Sequence, residues 1–178
     1  MGLAVFNGDK LVGELDGFES ICHLIISNKL KNAQIRIPSP IEELDYIDLY
    51  IELGNDTKNS VNLVNGSPYI SFKIEIKAKM QSMNNNIDLK DENIVSKIES
   101  SAKMFLEKHV IDYLYKTSKE LHADIDSFGL YGLKYFSTKD EWDNYNWLHH
   151  YKDAFFNIDI DVNLRSSYLL LNTTENDK

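Results

Sequence analysis

The stretch Ile70-Ser-Phe-Lys-Ile-Glu-Ile-Lys-Ala-Lys-Met80 alternates apolar with polar residues without a break. Successive side chains of a strand point to opposite faces, so Ile70, Phe72, Ile74, Ile76, Ala78 and Met80 share one face, while Ser71, Lys73, Glu75, Lys77 and Lys79 share the other. A slip of one residue would carry every apolar side chain into water, which fixes the register of any neighbouring strand. A chain built round this segment must place further strands beside it and helices over its dry face. Residues 47–53 repeat the alternation in shorter form, and residues 33–37 and 61–64 read as short strands. Residues 156–171 read as the last strand, with Ile158, Ile160, Val162, Leu164, Tyr168 and Leu170 on one face.

Helix signals fill the gaps. Asp16, with Glu19 three residues on, is an Asp-headed capping box and opens a helix over residues 17–29. Asp88 or Asp91 caps a long helix reaching about His122. Its stripe is Ile94, Ile98, Ala102, Phe105, His109 and Tyr113, widened by Val95, Leu106, Val110, Leu114 and Leu121. Residues 124–136, with Gly129 and Gly132, suit a turn or a short irregular helix, and residues 139–151 a short helix carrying Trp142 and Trp147. At the start, Leu3-Ala-Val-Phe6 and Lys10-Leu-Val12 flank Asn7-Gly8, a dipeptide that accepts the positive φ of a tight hairpin. The expected fold is α+β: a mainly antiparallel sheet packed against one long and several short α-helices. It forms a single domain over residues 2–171, with residues 172–178 a flexible tail.

Composition narrows the function classes. At 178 residues the chain suits one domain with a sizeable core. No apolar run approaches the roughly 20 residues of a membrane-spanning helix. With 28 acidic against 19 basic residues, the formal charge of −9 repels nucleic-acid phosphates, so nucleic acid is not expected as a partner. The single cysteine, Cys22, rules out an internal disulfide and a metal site built on several thiolates, and suits a small core side chain.

Chemistry-bearing residues are sparse. His122-Ala-Asp124-Ile-Asp126 sets an imidazole and two carboxylates within five residues, a set able to ligate a metal, yet a helix end followed by an acidic turn gives the same letters. Asp159 and Asp161 share the solvent face of the last strand. His149-His150 sits in an aromatic stretch, and His109 lies on the apolar stripe as a packed side chain. Nucleophile elbows, glycine-rich phosphate loops and HExxH motifs are absent from the sequence. No catalytic residue, cofactor or metal is therefore assigned. Trp142, Trp147, Phe155 and Phe156 suit either a binding platform or the core, and their mixed spacing favours burial of most, with one left at the surface.

The opening "LAVFNGDKLVGELDGFES" resembles the hallmark of the C-terminal domain of the Ger(x)C family, the C subunits of nutrient germinant receptors in endospore-forming bacteria. Gly2, Ala4, Val5, Phe6, Lys10, Leu11, Val12, Gly13, Leu15 and Glu19 fit it. "DIDSFGL" is similar to the family's Asp-Ile-x-x-Phe-Gly segment at Asp124, Ile125, Phe128 and Gly129. "EWDNYNW" resembles its paired tryptophans at Trp142 and Trp147, and "FNIDIDVNLRSSYLL" its closing strand. The resemblance implies a non-enzymatic domain of a lipoprotein held on the outer face of the spore inner membrane, beside receptor A and B subunits. It also implies a signal peptide, a lipidated cysteine other than Cys22 and further domains ahead of this one. The expected role is receptor assembly or signalling through protein contacts, with Phe128, Gly129, Trp142 and Trp147 as expected partner-binding residues. Direct sensing of a small germinant is the alternative, and a hydrolase using His149 or His150 a more distant one.

Overall fold

The computed structural model describes residues 2–41, 45–81 and 91–165. Its spine is β6 (Ser67–Met80), three residues longer at its start than the alternation alone marks. The other sheet strands are β3 (Ala33–Pro38), β4 (Tyr46–Leu53), β5 (Lys58–Val64) and β7 (Phe155–Leu164). One edge of β6 is lined along its length by β7, which runs parallel to it from Tyr69↔Phe155 to Ala78↔Leu164. The other edge is shared by two antiparallel strands, β5 opposite residues 67–73 and β4 opposite residues 76–80, with β3 outside β4. The sheet is thus mainly antiparallel, with one parallel pair that alternation cannot reveal, since both senses place side chains alike.

Register sets the faces. Ile35, Ile37, Ile47, Leu49, Ile51, Val61, Ile70, Phe72, Ile74, Ile76, Ala78, Ile160 and Val162 are buried on one side. Fully burying each Val, Ile, Leu or Phe among them contributes about 1.5–3 kcal/mol. The cover is α1 (Gly17–Ile26) and α2 (Glu92–Tyr115), which pack against each other, with α2 also against β3 and β7. On α2 the buried stripe is Ile98, Ala102, Leu106, Val110, Tyr113 and Leu114. Phe105 and His109 flank it and meet Phe18 of α1, the His109 ring centroid 4.6 Å from that of Phe18. Helix α1 opens with the expected capping box: Asp16 accepts from the Glu19 amide and Glu19 accepts from the Asp16 amide, both at 2.8 Å. Asp91 caps α2 through the Asn93 amide, while Asp88 lies outside the described residues. A π-helical turn, Lys116–Glu120, extends α2.

Several further boundaries differ from those the sequence predicts, α1 ending at Ile26 rather than at residue 29. The first hairpin, β1 (Leu3–Asn7) and β2 (Lys10–Leu15), closes on the pair Asn7↔Lys10, so its turn is Gly8-Asp9 rather than Asn7-Gly8, with Gly8 at φ 65°. Asn65-Gly66, both at positive φ, makes the β5–β6 hairpin, a signal the sequence reading passed over. The helix expected over residues 139–151 is two, α4 (Lys139–Tyr145) and α5 (Trp147–Tyr151), broken where Asn146 takes φ 53°. Residues 124–136 do hold a short helix, α3 (Phe128–Gly132), followed by a 3-10 turn, Leu133–Tyr135. The expected continuation of the last strand to Leu171, and the tail, lie outside the described residues.

Candidate functional site

The segment Asp124-Ile-Asp-Ser-Phe-Gly129 ties the long helix to the aromatic end of the molecule. Ser127, at the N-cap position of α3, is left-handed at φ 60° and supplies no side-chain cap. Asp124 does that work instead: Oδ1 accepts from the Phe128 amide at 2.9 Å and Oδ2 from the Gly129 amide at 2.7 Å. Oδ2 also accepts from the Trp147 indole at 2.8 Å. Burial pushes the Asp124 carboxyl above the usual carboxylate range, against these three donors, which favour its charged form. Asp126 turns the other way. It accepts from the Tyr113 hydroxyl at 2.6 Å and from His23 Nδ1 at 2.9 Å, so loop, α2 and α1 meet on one carboxylate that is 1% exposed.

The imidazole and two carboxylates of His122, Asp124 and Asp126 therefore point three ways, as a helix end followed by an acidic turn. His122, at φ 48°, directs Nδ1 back to the Ser118 carbonyl, while Asp124 and Asp126 are engaged as above. Burial, with Asp16 and Glu19 nearby, pushes the Cys22 thiol far up, so it is an inert core side chain. His150 stacks on Tyr145 with ring centroids 4.3 Å apart, and His149 meets His150 edge-on. His109 Nδ1 bonds to the Phe105 carbonyl on its own helix.

Trp147 lies across both glycines of α3. A Cβ at Gly129 would stand 3.1 Å from its Cδ1, and one at Gly132 2.8 Å from its Cζ3. Neither glycine is at positive φ, so it is the approach of the indole that favours glycine, strongly at Gly132 and less so at Gly129, where a few tenths of an ångström of give would suffice. From Trp147 the aromatic stack runs outward to Trp142 and Phe136, at centroid distances of 5.8 and 5.4 Å, and inward to Tyr151 at 6.1 Å. Tyr135 and Tyr145 then fasten the module to the β5–β6 hairpin through the carbonyls of Val61 and Gly66.

Of the four expected contact residues, Phe128 and Gly129 are buried, Trp147 is 7% exposed, and Trp142 is half-buried. Phe156 is also buried, and Phe155 is the one of its aromatic group left exposed. The side chains facing water here are ones the sequence reading did not single out: Leu130 at 68%, Tyr131 at 49%, Leu133 at 41% and Tyr135 at 44%. The signal for them was present, since Phe128, Gly129 and Gly132 face inward at helical spacing and leave the intervening apolar residues outside.

No curated protein matches the chain. Its fold is similar to that in the crystal structure of the GerBC protein, with a TM-score of 0.72 and 17% identity over 93% of this chain. The chain spans 50% of that protein's length. Among the described residues, no helix is long and apolar enough to cross a membrane. Residues 1–168 match the family described as spore germination B3/GerAC like, C-terminal, and the chain belongs to that family.

Proposed function

We propose that this domain is a non-enzymatic contact module of a germinant receptor C subunit, acting in receptor assembly or signalling by docking on a second receptor subunit of the A or B type. The observation that carries the reading is the outward row of Leu130, Tyr131, Leu133 and Tyr135. Contiguous apolar side chains in water mark interaction surfaces, and aromatic anchors contribute most to binding. Asp124, Trp147 and the two glycines hold the row in place from below, so little order remains to be gained on docking. In this reading Phe128, Gly129 and Trp147 position the contact surface and Trp142 borders it. Membrane attachment belongs to a lipid anchor on the longer subunit, at the outer face of the spore inner membrane.

A photo-crosslinking amino acid at position 131 of the full-length subunit tests this in spores. The expected result is an adduct with another receptor subunit. Adducts no more frequent than with the same probe at Met104, an exposed residue of α2, would overturn it.

A further inference from the structure

Strands β4 and β5 run in the same direction along one edge of β6, interrupted by residues 54–57, which stand opposite Ile74 and Glu75 alone. Four residues against two force the chain to arch away, and the arch opens a cleft of about 410 Å³ on the solvent face of the sheet. Its walls are fixed. The Gly54 amide donates to the Glu75 carbonyl at 2.7 Å, and a Cβ on Gly54 would stand 2.8 Å from Cγ of the Glu75 side chain, which would have to swing aside to admit it. Thr57 is buried beneath, its hydroxyl donating to the Ile25 carbonyl at 2.9 Å and its backbone clamped at both polar groups by the Asn28 side chain.

The cleft is lined by charges that meet like charges across the strands, while along β6 Glu75 is flanked by Lys73 and by Lys77, whose Nζ donates to the Gly54 carbonyl. Lys58 is the cross-strand partner of Lys73, and Glu75 is the cross-strand partner of Asp161. Such partners lie about 5 Å apart at the backbone, and like charges there are destabilising. Lys73 and Glu75 are two residues apart on β6, so the positive pair and the negative pair stand side by side, with Asp56 next to them. Among the described residues none of these five side chains is in an ion pair, and Asp159, the other neighbour of Lys73, is paired with Lys103 of α2 instead. Asn55 donates to the Glu75 carboxylate and steadies it at the cleft wall.

We infer that this cleft binds a small zwitterion, its carboxylate between Lys58 and Lys73 and its ammonium group between Glu75 and Asp161. A ligand with both charges relieves both repulsions at once. A ligand with one charge relieves only one and leaves the other pole facing it. The site is separate from the α3 surface and does not rest on the docking reading.

Titration of the isotope-labelled chain by NMR with glycine as the probe, and with acetate and methylammonium as single-charge probes, tests the inference. Expected are saturable amide shifts centred on Lys58, Lys73, Glu75 and Asp161 with glycine, and at least tenfold weaker responses to either single-charge probe. The Lys58→Glu variant should lose glycine binding and gain a few degrees in Tm, because the repulsive pair becomes an attractive one. An equal response to acetate would reduce the cleft to an anion site and overturn the inference, as would the absence of saturable shifts with glycine.

Discussion

The Trp147 indole donates to Asp124 at 2.8 Å, joining a loop carboxylate to a helix 23 residues further along the chain. The same oxygen accepts from the Gly129 amide, so a single atom holds α3 and α5 together. Trp147→Phe removes the bond and part of the cover over the glycines. Removing one partner of a buried hydrogen bond costs about 1–3 kcal/mol, and chemical denaturation should show a loss of that order with an unchanged m-value.

Gly132→Ala places a methyl group 2.8 Å from Trp147 Cζ3, a ring carbon that the stacked Trp142 and Tyr151 keep from moving. Overpacking of this kind costs about 1–3 kcal/mol. Gly8→Ala meets no atom within 4 Å but sits at φ 65°, so only the backbone cost of about 1–2 kcal/mol applies there. Near-UV circular dichroism separates the two: the tryptophan signal should change for Gly132→Ala and stay the same for Gly8→Ala.

Asp124 gives the domain a pH dependence of known sign. Its folded carboxyl is raised by burial, so the folded state holds the proton more tightly than the unfolded chain does. The stability it contributes is complete below the ordinary Asp range and is lost as pH rises through the folded value. The Asp124→Asn variant cannot titrate there. The stability of the parent minus that of the variant, measured by urea unfolding, should therefore fall from acid pH toward neutrality. A difference that rises with pH would contradict the assignment.

Among the described residues strand β7 is the edge of its sheet, and α2 covers part of that edge. Glu107 accepts from the Ile160 amide at 3.3 Å and Glu99 from the Leu164 amide at 2.8 Å, with Lys103 between them paired to Glu107 and Asp159. Unpaired edge amides are templates for aggregation. The Glu99→Ala, Glu107→Ala double variant should lose about 1–3 kcal/mol from the two uncovered amides and aggregate faster on warming, read by light scattering.

The sheet was legible because burial writes a period of two into β6 and β4, and the α1 cap because Asp16 and Glu19 carry their own geometry. The parallel sense of β7 left no trace in the letters, since its partner is set by the path of α2 and the helices after it. Asn146 broke the expected helix because a left-handed residue is compatible with helical periodicity on either side. At the candidate site the motif residues were visible and burial of most of the Trp142, Trp147, Phe155 and Phe156 group was expected from their spacing, whereas the burial of Phe128 and Gly129 was not. Asp124, Gly129 and Trp147 are held by contacts between distant segments, and sequence spacing within either segment says nothing of the other. The cleft beside Gly54 was hidden for the same reason, as Lys58, Lys73, Glu75 and Asp161 come together only through strand register.

The central claim is that the exposed α3 row docks a second receptor subunit. Its most direct test is recovery of the receptor from spores whose full-length C subunit carries Leu130→Glu and Leu133→Glu. Exposed positions like these should alter stability by no more than about 0.5 kcal/mol, so the subunit itself should accumulate normally. The account predicts loss of the other subunits from the purified complex and slowed nutrient germination, with Met104→Glu behaving as the parent. An intact complex and a normal germination rate in the double variant would contradict it.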